Sequence, residues 1–123
     1  MPLSVTPIGS EFQVNTYSNG YQYEPSITSL QDGGFLVVWT SVGQDGSGSG
    51  VYAQRYSSAS VPIGTEFQVN TFTAGEQRMP SVSTLSDGGF VVVWTSDEQD
   101  DSSSLSDLTC PGGGARASVE SYC

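Results

Sequence analysis

The sequence predicts an all-β fold, specifically a β-propeller-like repeat, from three observations. Residues 7–45 recur at 62–100 with about 25 of 39 aligned positions identical, so the period is 62 − 7, or about 55 residues. The apolar runs are rich in β-branched residues, and no segment has a sustained apolar period of 3.6. The 15 glycines supply frequent turns. A fixed period in this range is typical of stacked supersecondary units.

The first unit, about residues 7–61, and the start of the next predict four strands. PSITSL (25–30) is short and alternating, and FLVVWT (35–40) is apolar on both faces, which predicts cover on both sides. VYAQRY (51–56) follows a glycine-rich loop, and EFQVNT (66–71) alternates apolar with polar residues, which predicts one wet face. Four strands of graded burial are typical of a propeller blade; a β-sandwich repeat is the alternative.

The β-repeat region, residues 1–100, holds fewer than two full four-stranded blades. It opens with an outer-type strand, EFQVNT (11–16), and partial unit two (about 62–100) adds only PSVSTL (80–85) and FVVVWT (90–95). Fewer than two blades cannot close a ring. The sequence therefore suggests a fragment of a longer array, a ring made from several copies, or a tail from a shifted reading frame.

The tail, residues 101–123, departs from the repeat and is rich in Ser and Gly, so we expect it to be disordered. It contains both cysteines, Cys110 and Cys123. They can close one small loop in an oxidising compartment, or they are unrelated to each other.

The charge distribution excludes several partners. Thirteen acidic residues stand against three arginines, with no lysine and no histidine, for a net charge of −10. This charge argues against nucleic acid and anionic membranes, because few groups can neutralise phosphates. The sequence contains no run of 18 apolar residues, so it does not predict insertion into a membrane. The start, MPLSVTPIGS, lacks the basic and apolar parts of a secretory signal.

Catalysis is not expected from this composition. Without histidine, neither a Ser–His–Asp nor a Cys–His arrangement can form, and without lysine, Schiff-base chemistry is excluded. No spacing of the glutamates singles out a carboxylate pair for glycoside cleavage. The sequence therefore predicts a protein that is not an enzyme.

Two aspartates recur at the same place in the repeat, each followed by two glycines. Aspartate suits a hairpin turn because its carboxylate accepts hydrogen bonds from nearby backbone N–H groups. We favour this structural role over calcium ligation, since a site is seldom needed once per blade. The predicted turn residues are Asp32, Gly33, Gly34, Asp87, Gly88 and Gly89.

Calcium is the one candidate cofactor, because calcium prefers six to eight oxygen ligands and the chain is rich in carboxylates. Asp45 lies in a glycine-rich loop that supplies only one carboxylate, so a flexible connection is favoured there. A denser cluster occupies the matching stretch at the end of the second unit. The candidate ligands in that cluster are Asp97, Glu98, Asp100 and Asp101, with a solvated acidic loop as the alternative.

The aromatic residues suggest two roles. Packing between blades is predicted for Trp39, Trp94, Phe35 and Phe90, with each indole N–H donating to a carbonyl oxygen. Stacking against sugar rings is the alternative use of tyrosines on a concave edge. The candidates for that role are Tyr21, Tyr23 and Tyr52.

From Gly9 to Tyr56 the chain contains the motif GxEFQVNTxxxGxQxxPSxxxLxDGGFxVVWTSxxQDGSGxGVYAQRY. This motif resembles a repeat of very large secreted or surface proteins of bacteria that carry haemolysin-type (RTX) calcium-binding segments and adhesin-like domains. The resemblance covers about residues 7–100. It implies a non-enzymatic extracellular array exported without a cleaved N-terminal signal. The calcium-binding nonapeptide of that family, GGxGxDxUx, does not occur here, so no calcium ligand is carried over.

These observations together predict a non-enzymatic structural or adhesive repeat module of a bacterial extracellular or cell-surface protein, with weak calcium binding as a candidate property. The alternative is a lectin-like, carbohydrate-binding propeller fragment that closes by oligomerisation. The expected partners are neighbouring repeats or other copies of the chain. Glycans and cell-surface components are further candidates.

Overall fold

The computed structural model describes residues 6–71, 73–86, 88–96 and 115–118, the last by its backbone alone. All the regular secondary structure in these ranges is β-strand, so the all-β prediction is confirmed. The strands are β1 (Gln22–Ser29), β2 (Phe35–Val42), β3 (Ser49–Tyr56), β4 (Pro62–Gln68), β5 (Gln77–Thr84), β6 (Phe90–Ser96) and β7 (Ala115–Ser118).

The first sheet is an antiparallel meander in the order β1-β2-β3-β4. Its four strands follow the chain, as the sequence of one unit predicts. The fourth strand begins earlier than expected, at Pro62, and ends at Gln68. The expected strand at 11–16 is wrong, because that segment has no strand pairing in the structure. PIGSEFQV (7–14) and PIGTEFQV (62–69) differ at one position, yet only the second lies beside a partner strand, β3.

The second sheet has the order β5-β6-β7. Strand β7 pairs with β6 in the register that β3 adopts on β2: Thr95 faces Ala115 as Thr40 faces Val51. The backbone of residues 115–118 is therefore a strand, although the tail was expected to be disordered. The rest of that tail lies outside the described residues.

Both units carry the same irregularity in their first strand. The pairing of β1 with β2 shifts between Tyr23 and Ser26, and the pairing of β5 with β6 shifts between Arg78 and Ser81. A positive φ angle occurs at the same repeat position, 57° at Glu24 and 55° at Met79. A proline follows in each unit, and proline cannot donate to the ladder, so a bulge accommodates it.

The DGG turn between β1 and β2 requires both of its glycines. The amide of Gly33 donates to Leu30 O (3.1 Å), and Leu30 N donates to Gly34 O (2.8 Å), which is a three-residue hairpin loop with its glycine at φ 87°. A side chain on Gly34 would collide with the carbonyl oxygen of Tyr56 in β3. The second unit repeats the turn, with Gly88 N donating to Leu85 O at 3.2 Å.

The main core lies between the two sheets. It joins one face of the first sheet to one face of the second, and β2 is buried on both of its faces, as predicted. A second, aromatic cluster covers the other face of β2. The main core consists of Leu36, Val38, Val51, Ala53, Val69, Val82, Phe90, Val92 and Trp94, with Leu30 and Phe67 at its edge.

The expected wet face of EFQVNT is wrong at Asn70. This side chain is only 3% exposed, and Glu66 and Gln68 are half-buried. The alternation of apolar and polar residues is present, but the polar side chains are used in contacts with neighbouring segments.

Replacing Gly34 by alanine is expected to lower the free energy of unfolding by about 3 kcal/mol, because the new methyl group meets the β3 backbone, which cannot move without disturbing the sheet. Gly43→Ala is the control: Gly43 also has a positive φ but open space around its Cβ position, so about 1 kcal/mol is expected from backbone strain. Urea titration followed by tryptophan fluorescence measures both. Equal losses in the two variants would contradict the close approach at Gly34.

Candidate functional site

The most extensive candidate site consists of the two faces of each sheet, which carry equivalent residues in the two units. We call the side of each sheet bearing Leu36 and Val38, or their counterparts Val91 and Val93, its front face. We call the side bearing Val37 and Trp39, or Val92 and Trp94, its back face. The front face of the first sheet packs against the back face of the second, so the contact joins non-equivalent surfaces.

The two tryptophans hold equivalent back-face positions. Trp94 is buried in the core between the sheets, and Trp39 is buried in the aromatic cluster on the first sheet. Trp94 thus packs between the two sheets, whereas Trp39 packs within the first unit. The predicted hydrogen bond from the indole N–H is wrong for both, because neither Nε1 atom has a partner among the described residues. The indoles therefore contribute through apolar contact.

The back face of the first sheet is an aromatic surface. The rings of Phe35 and Tyr56 stack with centroids 5.0 Å apart, and Phe12 from the N-terminal segment contacts Tyr56 at 5.3 Å. Tyr52 is only 6% exposed within this cluster. Burial raises the pKa of its phenol to about 12, and the nearby carboxylates Asp45 and Glu66 add to the shift.

The three tyrosines considered for sugar stacking do not form one surface. The side chains of Tyr21 and Tyr23 are 77% and 41% exposed, whereas Tyr52 is buried under the aromatic cluster. Of these three, Tyr21 and Tyr23 are accessible to a sugar and Tyr52 is not.

A buried amide network ties the second sheet to the first. Asn70 Oδ1 accepts a hydrogen bond from Val51 N (2.8 Å), and Asn70 Nδ2 donates to Gln77 Oε1 (3.1 Å). Gln77 is fully buried, and its Nε2 donates to Ala74 O at 2.8 Å and to Ser96 Oγ at 3.4 Å. Asn70 thus links the third strand of one unit to the first strand of the next.

The first unit contains the same network without its link to a preceding strand. Asn15 Nδ2 donates to Gln22 Oε1 (3.2 Å), and Gln22 Nε2 donates to Asn19 O (2.9 Å) and to Ser41 Oγ (3.4 Å). No described residue donates to Asn15 Oδ1. Sequence reasoning missed this network. The signal was available, because the asparagine and glutamine are identical in both units, seven positions apart, while the tyrosine at position 21 is replaced.

Glu66 attaches the N-terminal segment to the back of the first sheet. Its carboxylate accepts hydrogen bonds from Thr16 N (3.1 Å) and from Gln44 Nε2 (2.8 Å). Burial by itself raises the pKa of Glu66, but the hydrogen bonds from Thr16 and Gln44 outweigh it and hold the pKa below its ordinary value.

A cavity of about 170 Å³ opens beside this segment, on the back face of the first sheet. Its walls include Val14, Pro25, Val37 and Trp39. The four counterparts in the second unit are all buried, and three of them lie in the core between the sheets. At the equivalent position in the second unit, the front face of the first sheet covers these residues. The cavity therefore lies where no such sheet face is present in the first unit.

A larger open cavity, about 320 Å³, lies at the hairpin end of the molecule between the two sheets. Leu36, Phe67 and Phe90 line it together with Arg55. The guanidinium of Arg55 is engaged in an ion pair with Asp32, at 2.7 Å between Nη2 and Oδ2. The rest of its lining is mostly apolar, with Thr65 as a further polar residue.

Asp32 has two partners. Its Oδ1 accepts a hydrogen bond from Gly34 N at 2.9 Å, inside the DGG turn, and its Oδ2 receives the Arg55 guanidinium. The hydrogen bond from Gly34 and then the contact with Arg55 lower the pKa of the Asp32 carboxyl. The equivalent Asp87 lies outside the described residues.

The calcium candidates divide into two groups. Asp45 closes its own loop: Oδ1 accepts from Ser47 N (3.0 Å) and Oδ2 from Gln68 Nε2 (3.1 Å). Among the described residues, no three acidic, cysteine or histidine side chains form a cluster. The remaining candidates lie outside the described residues; they are Asp97, Glu98, Asp100 and Asp101.

No protein-family model, curated protein or solved structure matches this chain. Within the part of the chain that the structure describes, no helix has the length and apolar character needed to cross a membrane.

Asn70→Ala is expected to lower the free energy of unfolding by about 2 kcal/mol, because it leaves Val51 N and Gln77 buried without their partner. Asn15→Ala, the same change in the first unit, removes only half-buried bonds and should cost about 0.5–1 kcal/mol. Chemical denaturation of the two variants tests the difference. A loss for Asn15→Ala as large as that for Asn70→Ala would contradict the linking role of Asn70.

Glu66→Gln should reduce stability at neutral pH by about 1 kcal/mol, because hydrogen bonds to a charged acceptor become neutral ones. The folded pKa lies below the ordinary value of 4.5, so this contribution is present above pH 4.5 and is lost as the pH falls through the folded pKa. Wild type and variant should therefore converge at low pH in thermal melts. Glu11→Gln, at the exposed equivalent position, controls for removing one charge; a constant difference down to pH 2 would refute the assignment.

Proposed function

We propose that this chain is a non-enzymatic structural repeat module whose units stack sheet upon sheet, within an adhesive extracellular protein of bacteria. The observation that carries the proposal is the contact between the front face of the first sheet and the back face of the second. Most residues on both sides of it belong to the repeated sequence, and Val51 and Ala53 of β3 complete the contact. Burial of apolar surface between neighbouring units is the main source of stability in such stacks.

The propeller-like architecture is the finer part of the proposal. A four-stranded meander per unit supports it, as does the packing of unlike faces. In a two-fold sandwich the two units bury the same face, so no such face is left for a further unit. A contact between a front and a back face instead leaves one back face and one front face uncovered at the two ends of the stack. A further unit can add at either end by the same contact. Stacking of this kind is what successive blades of a propeller require.

The chemistry of the chain supports a role without catalysis. The sequence contains no histidine and no lysine, and the arginine lining the larger cavity is paired with Asp32. The net charge of −10 suits a surface in contact with solvent and divalent cations rather than with phosphate groups. The extracellular and adhesive parts of the proposal are supported by the motif between Gly9 and Tyr56.

Weak calcium binding is proposed for the acidic run at the end of the second unit, residues 97–101. Asp45 is less suited to it, because both of its carboxylate oxygens already accept hydrogen bonds. A calorimetric calcium titration with an Asp97→Asn/Glu98→Gln variant tests this point. Loss of heat in that variant and its retention in Asp45→Asn would support the acidic run; heats equal to dilution in wild type would refute calcium binding.

A carbohydrate-binding module is the second candidate function. The observation in its favour is that Tyr21 and Tyr23 are exposed and close in sequence, and that Tyr23 also lines the 170 Å³ cavity. Exposed aromatic rings can stack on sugars. Glycan-array binding by wild type that disappears in Tyr21→Ala/Tyr23→Ala would support this function, and an array without signal would remove it.

Val38→Ala tests the stacking directly. Val38 is fully buried at the contact between the sheets, so the variant should lose about 2 kcal/mol of stability. Val93→Ala is the matched control, because Val93 holds the same repeat position but is 40% exposed; it should lose less than about 0.5 kcal/mol. Both proteins should unfold in one transition by circular dichroism and by fluorescence. Two separate transitions, or equal losses, would contradict stacking as the basis of the fold.

A further inference from the structure

We propose that the chain associates head to tail with a second copy of itself. The back face of the first sheet in one copy covers the front face of the second sheet in the other. This inference rests on the proposed stacking of units. It names a second copy as the partner of the two outer sheet faces of the chain. The internal contact between the sheets supplies the geometry.

One exposed residue on each face distinguishes the ends from the internal contact, whereas Val37 and Trp39 of the back face are already buried in the single copy. On the back face, Ile27 of the first sheet is 62% exposed, whereas its counterpart Val82 is 9% exposed at the internal contact. On the front face, Val93 is 40% exposed, whereas its counterpart Val38 is fully buried. Each exposed residue thus has an apolar counterpart that is covered by the other sheet. A head-to-tail contact covers both by the packing that the chain already uses once.

The polar groups at the internal contact also have counterparts at the ends. Inside the chain, Asn70 Oδ1 accepts from a backbone N–H of β3, and the hydroxyl of Thr40 accepts from Met79 N at 3.2 Å. Asn15 and Glu24 hold the corresponding positions on the back face of the first sheet, with the same bulge at Glu24. Thr95 holds the position of Thr40 in the second sheet but is only 3% exposed, so it is already covered in the single copy. The matching polar groups are therefore those of the back face, Asn15 and Glu24.

The N-terminal segment provides a strand for the neighbouring copy. In the first sheet, PIGTEFQV (62–69) supplies the fourth strand along β3 before the chain enters the second sheet. In the second sheet β7 holds the register of β3, and no described strand lies beyond it. The nearly identical PIGSEFQV (7–14) is unpaired. We therefore place residues 7–14 of one copy along β7 of the next, which completes a four-stranded sheet.

Charge sets the conditions for this association. Each copy carries a net charge of −10, so two copies repel each other at low ionic strength. Salt screens that repulsion, since the Debye length falls to about 8 Å at 0.15 M. Association through apolar faces should therefore strengthen with added NaCl, whereas association through ion pairs would weaken.

The first experiment is light scattering after size exclusion across a concentration series, at about 0.15 M salt. A reducing agent is present because Cys110 and Cys123 can otherwise link copies covalently. Wild type is expected to form species larger than a monomer as concentration rises. Ile27→Asp and Val93→Asp should each weaken association by about tenfold or more, since each buries an unpaired charge in the contact. Val61→Asp is the matched control, because Val61 is 56% exposed in the turn before β4 and lies on neither face.

A mixing experiment tests the head-to-tail arrangement itself. Ile27→Asp keeps an intact front face and Val93→Asp keeps an intact back face, so an equimolar mixture should form a one-to-one dimer that grows no further. Association of either variant alone with wild-type affinity would overturn the arrangement and indicate contact between like faces. Circular dichroism confirms that both variants fold; the substituted side chains are exposed in the single copy.

Hydrogen exchange gives a second readout that does not depend on the variants. Amides of residues 11–14 should gain protection as wild type associates, while those of β4 stay unchanged. A wild type that remains monomeric at the highest concentration and at raised salt would overturn the inference. That result leaves the stacking of units within one chain standing, because the comparison of Val38→Ala with Val93→Ala tests it separately.

Discussion

Strand β2 is apolar on both faces, and this constraint shapes the rest of the structure. One face is covered by the second sheet and the other by the aromatic cluster with the N-terminal segment. Both layers contain residues of the repeated sequence, and Tyr52 and Tyr56 of β3 complete the aromatic cluster. A strand that is apolar on both faces must be covered on both sides, and in this structure one cover comes from the other unit and the other from the same unit.

The amide network gives this stacking a defined position. Apolar surfaces alone tolerate sliding, whereas Asn70 must lie where it can accept from Val51 N and donate to Gln77 at once. A buried amide without these partners is costly, so displaced arrangements of the sheets are disfavoured. The core therefore supplies most of the stability, and Asn70 determines how the two sheets are positioned relative to each other.

The two copies of PIGxEFQV show how far local sequence determines local structure. Residues 62–68 form a strand because they pair with the edge of β3, whereas residues 7–13 pair with no strand among the described residues. The difference arises from the partner, since strand pairing is satisfied by backbone groups of another segment. The same reasoning explains Asn15 and Asn70, which are identical residues with different burial.

The sequence by itself determined the all-β class, the period, the order of the strands in one unit, the DGG turn and the double burial of β2. These are local or periodic properties, readable from alternation and from glycine chemistry at Gly33 and Gly34. Only the tertiary structure decided that unlike faces meet, that Asn70 and Gln77 are buried, that Tyr52 is covered, and that the indole of Trp39 lacks a hydrogen bond among the described residues. Those outcomes depend on which segments become neighbours in space, and contact between segments distant in the chain leaves no periodic signal in either segment alone.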